Sequence, residues 1–166
     1  MVKDKNIILD KDVSLEILKQ KKIAIIGYGN QGRAQALNLK DSKLNIKIGL
    51  RKDSQSINKA QKDNLDVLLI EDAVKWADLI SVLIPDKMIP ESFNTLISPH
   101  LTENKTLLFS HGYNVHFNKI HIAENINIIM VAPSAGGNIV RKEYKKKYGV
   151  PALLAVHQDY SGQSWE

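Results

Sequence analysis

The 166-residue sequence contains no cysteine. That absence removes disulfides, thiolate nucleophiles and cysteine-ligated metals together, and it fits a reducing compartment. Long hydrophobic runs are missing too. The N-terminus, Met1-Val2-Lys3-Asp4-Lys5-Asn6, leads only to Ile7-Ile8-Leu9, which is neither a cleavable signal nor a spanning segment. No internal repeat, low-complexity tract or linker breaks the chain, so a single domain over residues 1–166 is expected. A chain of this size buries roughly 70% of its unfolded surface. At 43% hydrophobic and 25% charged residues, the composition is ordinary for a globular protein and suggests neither disorder nor a fibrous repeat. The default expectation is a soluble, cytoplasmic protein with no membrane partner.

Charge of one sign is also unevenly supplied. The net charge is +5, yet residues 141–148 alone hold five positive groups and one negative. The remainder is close to neutral. A nucleic-acid footprint spreads along a face or groove, whereas a single cluster reads as the solvated end of a helix or a loop. No nucleic-acid partner is expected. His100, His116, His121 and His157 follow no metal-ligand spacing.

What the chain does have is a glycine triplet in an informative place. Gly27-Tyr28-Gly29-Asn30-Gln31-Gly32 follows the apolar run Ile23-Ala24-Ile25-Ile26 and precedes the helix-compatible Arg33-Ala34-Gln35-Ala36-Leu37. Between a strand and a helix, such a triplet cradles a pyrophosphate. Gly27 permits the tight turn, Gly29 lets the backbone approach the phosphates, and Gly32 lets the helix pack closely on its strand. The helix N-terminus supplies unpaired N–H groups and a positive dipole end. The bland alternative is an ordinary strand–helix turn.

Short, nearly continuous apolar runs recur at 23–26, 45–50, 67–70, 79–84, 106–110, 126–131 and 152–156. Such runs are the pattern of strands buried on both faces of a parallel sheet. Helix-compatible segments lie between them at 31–40, 56–62, 71–77, 89–97 and 140–147. The alternation predicts an α/β fold of the Rossmann type, a doubly wound, mostly parallel sheet with helices on both faces.

The end of the second strand carries the next signal. NAD-preferring sites place an acid there for the ribose 2′-hydroxyl, whereas a 2′-phosphate needs positive charge and hydroxyl donors. Here the strand ends in Gly49-Leu50-Arg51, followed by Lys52-Asp53-Ser54-Gln55-Ser56. Arg51, Ser54 and Ser56 favour NADP(H), while Asp53 weighs against it unless its side chain points away. The alternative is a polar surface loop in which Ser56 caps the next helix. His111, just past the apolar run at 106–109, falls at the carboxyl end of a strand, where open α/β sheets bind ligands.

In order and spacing, KKIAIIGYGNQGRAQALNL, GLRKDSQS, LIPD, SHGYNVHF, a VAP turn and VPALLAVHQD resemble the N-terminal domain of ketol-acid reductoisomerase, from about Leu9 to the last residue. HGYNVHF and VPALLAVHQD are far more specific than the glycine motif. The resemblance implies an NADPH- and Mg²⁺-dependent oxidoreductase that converts acetohydroxy acids, by alkyl migration and then reduction, in branched-chain (isoleucine and valine) biosynthesis. It implies that Gly27, Tyr28, Gly29, Asn30, Gln31 and Gly32 form the pyrophosphate loop and that Arg51, Ser54 and Ser56 hold the 2′-phosphate. It places Asp86, Lys87, Met88 and Ile89 along the adenosine and nicotinamide side, His111 in the active site, and Gly137 as a backbone contact near the nicotinamide.

The chain departs from the family pattern in three ways. Where the family's turn after VAP reads roughly Lys-Gly-Pro-Gly-His, with the lysine in the active site, this chain has Ser134-Ala135-Gly136-Gly137-Asn138. Arg33 and Gln35 stand where two histidines usually follow the glycine loop. The family's metal-binding acids belong to a C-terminal helical domain, which would begin near Gln163-Ser164-Trp165-Glu166. The expectation is a dinucleotide-binding domain without a metal site of its own, inactive alone in the full reaction. Mg²⁺ enters only with the helical domain. The expected partners are a dinucleotide, a 2-keto or acetohydroxy acid, and either a second copy or a separate helical domain covering an exposed apolar patch. The alternative is a non-catalytic sensor or interaction module that reads NADP(H).

Overall fold

A computed structural model describes residues 7–9 and 12–166. The seven apolar runs all become strands: β1 (Lys22–Ile26), β2 (Asn45–Leu50), β3 (Val67–Leu69), β4 (Leu79–Val82), β5 (Thr106–Phe109), β6 (Asn127–Pro133) and β7 (Ala152–Gln158). They form one sheet in the order β3-β2-β1-β4-β5-β6-β7. The first six are mutually parallel and β7 runs antiparallel to β6. The helices are α1 (Glu16–Lys19), α2 (Asn30–Asp41), α3 (Ile57–Lys62), α4 (Ile70–Trp76), α5 (Ile89–Ser92), α6 (Tyr113–His116) and α7 (Gly137–Lys145). Among the described residues, no helix is long and apolar enough to cross a membrane.

β1 reads as an unbroken apolar run because both of its faces are covered. Successive side chains point to opposite faces. Ile23 and Ile25 pack with Ile48, Ala36 and Ala60 under α2 and α3. Ala24 and Ile26 pack with Ile80, Val82, Val74 and Phe93 on the α4 and α5 side. The buried positions of α2 are Gly32, Ala34 and Ala36, whose small side chains bring the helix axis close to β1.

β7 differs from the expectation of a strand buried on both faces. Residues 152–155 are exposed, with Leu153 at 67%. The physical reason is topological. An antiparallel edge strand needs no crossover helix, so none lies over it. Its apolar run therefore forms an exposed patch rather than core.

Several boundaries also move. β4 and β5 stop at Val82 and Phe109, releasing residues 83–85 and Ser110 into loops. β6 continues to Pro133, which pairs with Ala152 at the end of the ladder. α7 begins at Gly137 rather than at 140, because Gly136 is extended and Gly137 can lie against the Asn30 backbone. Residues 89–97 form α5 followed by a π-turn at Phe93–Ile97, with a 3-10 turn at Ser98–His100. α1 and α6, four residues each, are too short to leave a periodic signal.

Candidate functional site

The sheet order reverses direction between β1 and β4, the switch point at which a crevice opens above the strand ends. Each glycine at its rim has a different reason to be glycine. Gly27 sits at φ +99°, and a side chain there would meet Ile84 Cγ2 at 2.8 Å and the Leu83 carbonyl oxygen at 2.9 Å. At Gly32 a Cβ would collide with the Gly27 carbonyl. Gly29 has neither constraint: its φ is −76°, and a Cβ would meet nothing within 4 Å. The protein needs the first and third glycines for its own packing. The second keeps space open in front of the α2 N-terminus, a cradle that a Cβ would fill.

A cleft of about 370 Å³ follows from this loop across Gly49, Leu50, Arg51, Ser54 and Ser56 to Leu83, Ile84, Pro85 and Met88. A second, of about 270 Å³, runs past Asp86, Ile89, Ser110, His111 and Pro133. Both include Gln31, Leu83, Ile84 and Pro85, so they form one crevice over the ends of β1, β2, β4 and β5. A cleft of about 410 Å³ lies at the opposite ends of the strands, beside Asp78, Asn104 and Asn127.

At the β2 end, Arg51 is exposed, with its Nε 3.9 Å from Asp53 Oδ1. That is a loose surface pair which a phosphate can displace. Ser56 occupies the position before α3 but makes no side-chain capping bond, which removes the capping explanation for its hydroxyl. Ser54 Oγ accepts from the Ser56 N–H at 3.3 Å, which leaves its hydroxyl proton able to donate.

Tyr28 lines the cleft only through its main chain. Its ring is 2% exposed within the core, and its hydroxyl donates to Asp63 Oδ2 at 2.9 Å. Burial, followed by the Asp63 carboxylate, pushes the phenol well above its ordinary range. Arg33 Nε and Nη2 donate to the two Asp63 oxygens at 2.7 and 3.0 Å. These bonds hold the Asp63 carboxyl below the usual carboxylate range. A group with a depressed folded pKa contributes stability above its unfolded value, about 3.9 for Asp, and loses it as pH falls through the folded value. Asp63→Asn is therefore expected to melt below the wild type at neutral pH, with the gap narrowing once the pH falls below about 4. Thermal melts from about pH 7 to about pH 3 check this, and a constant gap would contradict it.

At the other end, His111 Nδ1 lies 3.3 Å from Asp86 Oδ2 and 3.4 Å from the Tyr113 N–H. The ring can pair with the carboxylate when protonated and accept from the amide when neutral. Asn114 is buried and donates to the Asp86 carbonyl at 3.0 Å, fixing that turn. Gln31 Nε2 donates to the Ala135 carbonyl at 2.8 Å. Gln35 Nε2 reaches Gln31 Oε1 and Ser110 Oγ, both at 3.2 Å. Gln35 thus ties α2 to the end of β5, a role its sequence position gives no hint of. Lys87 is exposed and lines neither cleft. Gly137 is buried against Asn30. Among the described residues, no group of three or more His, Cys, Asp or Glu side chains could hold a metal ion. The donor set for Mg²⁺ is not met there.

The strand order, the open glycine cradle and the donors beyond β2 define a Rossmann-type dinucleotide-binding unit. Residues 17–166 match the family described as acetohydroxy acid isomeroreductase, NADPH-binding domain. The chain belongs to this family. It is 53% identical over 158 residues to ketol-acid reductoisomerase (NADP(+)) of Methanocaldococcus jannaschii, covering 95% of this chain and 48% of the relative. The corresponding Pyrococcus abyssi protein is 47% identical over 164 residues, covering 99% and 49%. An NADH-preferring ketol-acid reductoisomerase of known structure from an uncultured archaeon superposes with a TM-score of 0.91 at 42% identity, covering 93% of this chain and 48% of that one. The chain spans about half the length of the relatives it matches.

Proposed function

We propose that the crevice holds NADPH with its pyrophosphate on the glycine loop, its 2′-phosphate on Arg51, Ser54 and Ser56, and its nicotinamide towards Asp86 and His111. The observation that carries this reading is the open space at Gly29, which the fold itself does not require. The bound cofactor supplies hydride. The chain's own residues orient it: backbone amides at the start of α2 meet the phosphates, Met88 and Leu83 border the adenosine side, and Gln31 is held at the turn between the two halves. By family membership the hydride acceptor is an acetohydroxy or 2-keto acid within branched-chain amino-acid synthesis. The carboxylates for Mg²⁺ would come from a helical segment outside the described residues. Exposed Leu153 and Leu154 on β7 offer the apolar surface such a segment covers, and a second copy is the competing occupant.

The matched family is an NADPH-binding domain, although a related structure belongs to an NADH-preferring enzyme. In this reading Arg51, Ser54 and Ser56 are what favours NADPH here. Charge-assisted bonds to a 2′-phosphate are the strong ones, so NADPH is expected to bind at least about tenfold more tightly than NADH, roughly 1.4 kcal/mol. Arg51→Ala should erase that preference with little change for NADH. Calorimetric titration of both cofactors decides it, and equal or reversed affinities would sink the 2′-phosphate assignment.

The basic stretch supports no nucleic-acid role in this reading. Arg141 is engaged by Asn38 and Asp41, and the Tyr144 hydroxyl lies 2.8 Å from Ser42 Oγ, so both serve the α2–α7 contact. A non-catalytic NADP(H) sensor uses the same cleft, and Ser134 in place of a lysine favours it. NADPH oxidation in the presence of simple 2-keto acids separates the two, since a sensor gives none.

A further inference from the structure

Asp63 touches neither cleft, yet it is the most densely bonded side chain near the crevice. Its carboxylate accepts from the Tyr28 hydroxyl at 2.9 Å and from two Arg33 nitrogens at 2.7 and 3.0 Å. Its backbone is held as well. Lys40 Nζ donates to the carbonyls of Asp63 at 2.7 Å and of Asn64 at 2.8 Å. Tyr28 belongs to the glycine loop, and Arg33 and Lys40 lie near the two ends of α2. Asp63 directly follows α3, which in turn directly follows the loop carrying Arg51, Ser54 and Ser56.

Packing holds α3 through few side chains. Of its six residues Ala60 is buried and Ile57 is partly buried against the same cluster. At 1.5 Å per residue it is about 9 Å long, short enough that a tilt at its carboxyl end is carried rigidly to its amino end. Bonds to a charged partner are comparable in size to the burial of Ile57 and Ala60, so the clamp is a major part of what holds α3 against α2.

We propose that Asp63 is a positioning residue: clamped by Tyr28 and Arg33, it fixes α3 and the 2′-phosphate loop against the glycine loop and thereby sets the preference for NADPH over NADH. The inference rests on the assignment of Arg51, Ser54 and Ser56 to the 2′-phosphate. Asp63 acts through these side chains and makes no cofactor contact itself. The pyrophosphate cradle is built from β1 and α2 and does not depend on where α3 lies.

The test is a double-mutant cycle read by titration of both cofactors into the 166-residue chain, with folding checked by circular dichroism. Asp63→Asn keeps the shape of the side chain and removes its charge. It is expected to weaken NADPH about five- to tenfold and NADH less than about twofold, with the NADPH effect shrinking to under about twofold in an Arg51→Ala background. Arg33→Met, which breaks the clamp from the other side, is expected to give the same split. Equal losses for both cofactors, no loss for NADPH, or an undiminished loss in the Arg51→Ala background would overturn the inference. So would failure of both single variants to fold, which would assign the clamp to stability alone. The two readings fail distinguishably: if Arg51→Ala erases the preference and Asp63→Asn spares it, only the positioning role falls. If Arg51→Ala leaves the preference intact, the loop assignment falls and the positioning role with it.

Discussion

Gly29→Val is expected to abolish dinucleotide binding while leaving the fold intact. The two halves of this expectation come from the same measurement of space. A Cβ at residue 29 meets no protein atom within 4 Å, and φ −76° with ψ −155° is an extended backbone that any residue adopts. Replacing glycine before a helix by a residue with poor capping chemistry costs only about 1 kcal/mol or less. In the proposed complex, however, that space belongs to the pyrophosphate. A branched side chain would hold the phosphates away from the α2 amides, removing the charge-assisted bonds and the helix-terminus field together. The expected loss is at least about a hundredfold for NADPH and NADH alike, roughly 2.7 kcal/mol. Gly32→Ala makes the contrast, since its Cβ would strike the Gly27 carbonyl and damage the fold before any ligand arrives. Titration and circular dichroism of the Gly29 variant check the expectation. A folded variant that binds NADPH normally would reduce the glycine loop to a turn.

The contrast between Gly29 and its neighbours also marks how far the sequence could be read. The motif announces three glycines of equal standing, and only the fold shows that Gly27 and Gly32 are needed for packing while Gly29 is not. Strand β1 was legible because burial on both faces writes an uninterrupted apolar run, and β2 to β6 because their runs stay mostly apolar. The same rule misread β7, whose apolar run is exposed; a one-dimensional pattern records that a segment avoids water without saying what covers it. Long-range polar bonds leave no trace of this kind. Tyr28 stands inside the phosphate motif, yet its hydroxyl belongs to Asp63, 35 positions away. Gln35 finds Ser110 across 75 positions. The residues assigned by resemblance divide accordingly. Gly29, Gln31, Arg51, Ser54, Ser56, Met88, Asp86 and His111 gather along one crevice, while Lys87 faces solvent and Gly137 lies against Asn30.

The 166-residue chain on its own is expected to give no Mg²⁺-dependent conversion of 2-acetolactate. At the His111 end of the crevice the titratable side chains are His111 and Asp86, which lie 3.3 Å apart. Mg²⁺ demands near-octahedral oxygen coordination, and a pair of ions demands several carboxylates; a lone Asp86 that already faces a histidine cannot hold them. Nor does the turn beyond β6 supply fixed positive charge. Ser134 is exposed there, its N–H bonded to the Pro151 carbonyl at 2.8 Å, and a hydroxyl donates one neutral hydrogen bond where an ammonium donates three charged ones. Reduction of a plain 2-keto acid asks for less, because hydride transfer needs a positioned nicotinamide and one polarised carbonyl, a task within reach of His111. The assay combines the chain, NADPH, Mg²⁺ and 2-acetolactate and follows NADPH oxidation. Binding of NADPH without turnover is the expected result. Turnover that requires Mg²⁺ and disappears in His111→Ala would mean that these residues complete a metal site in solution, across two copies of the chain, and the incomplete-site reading would fall.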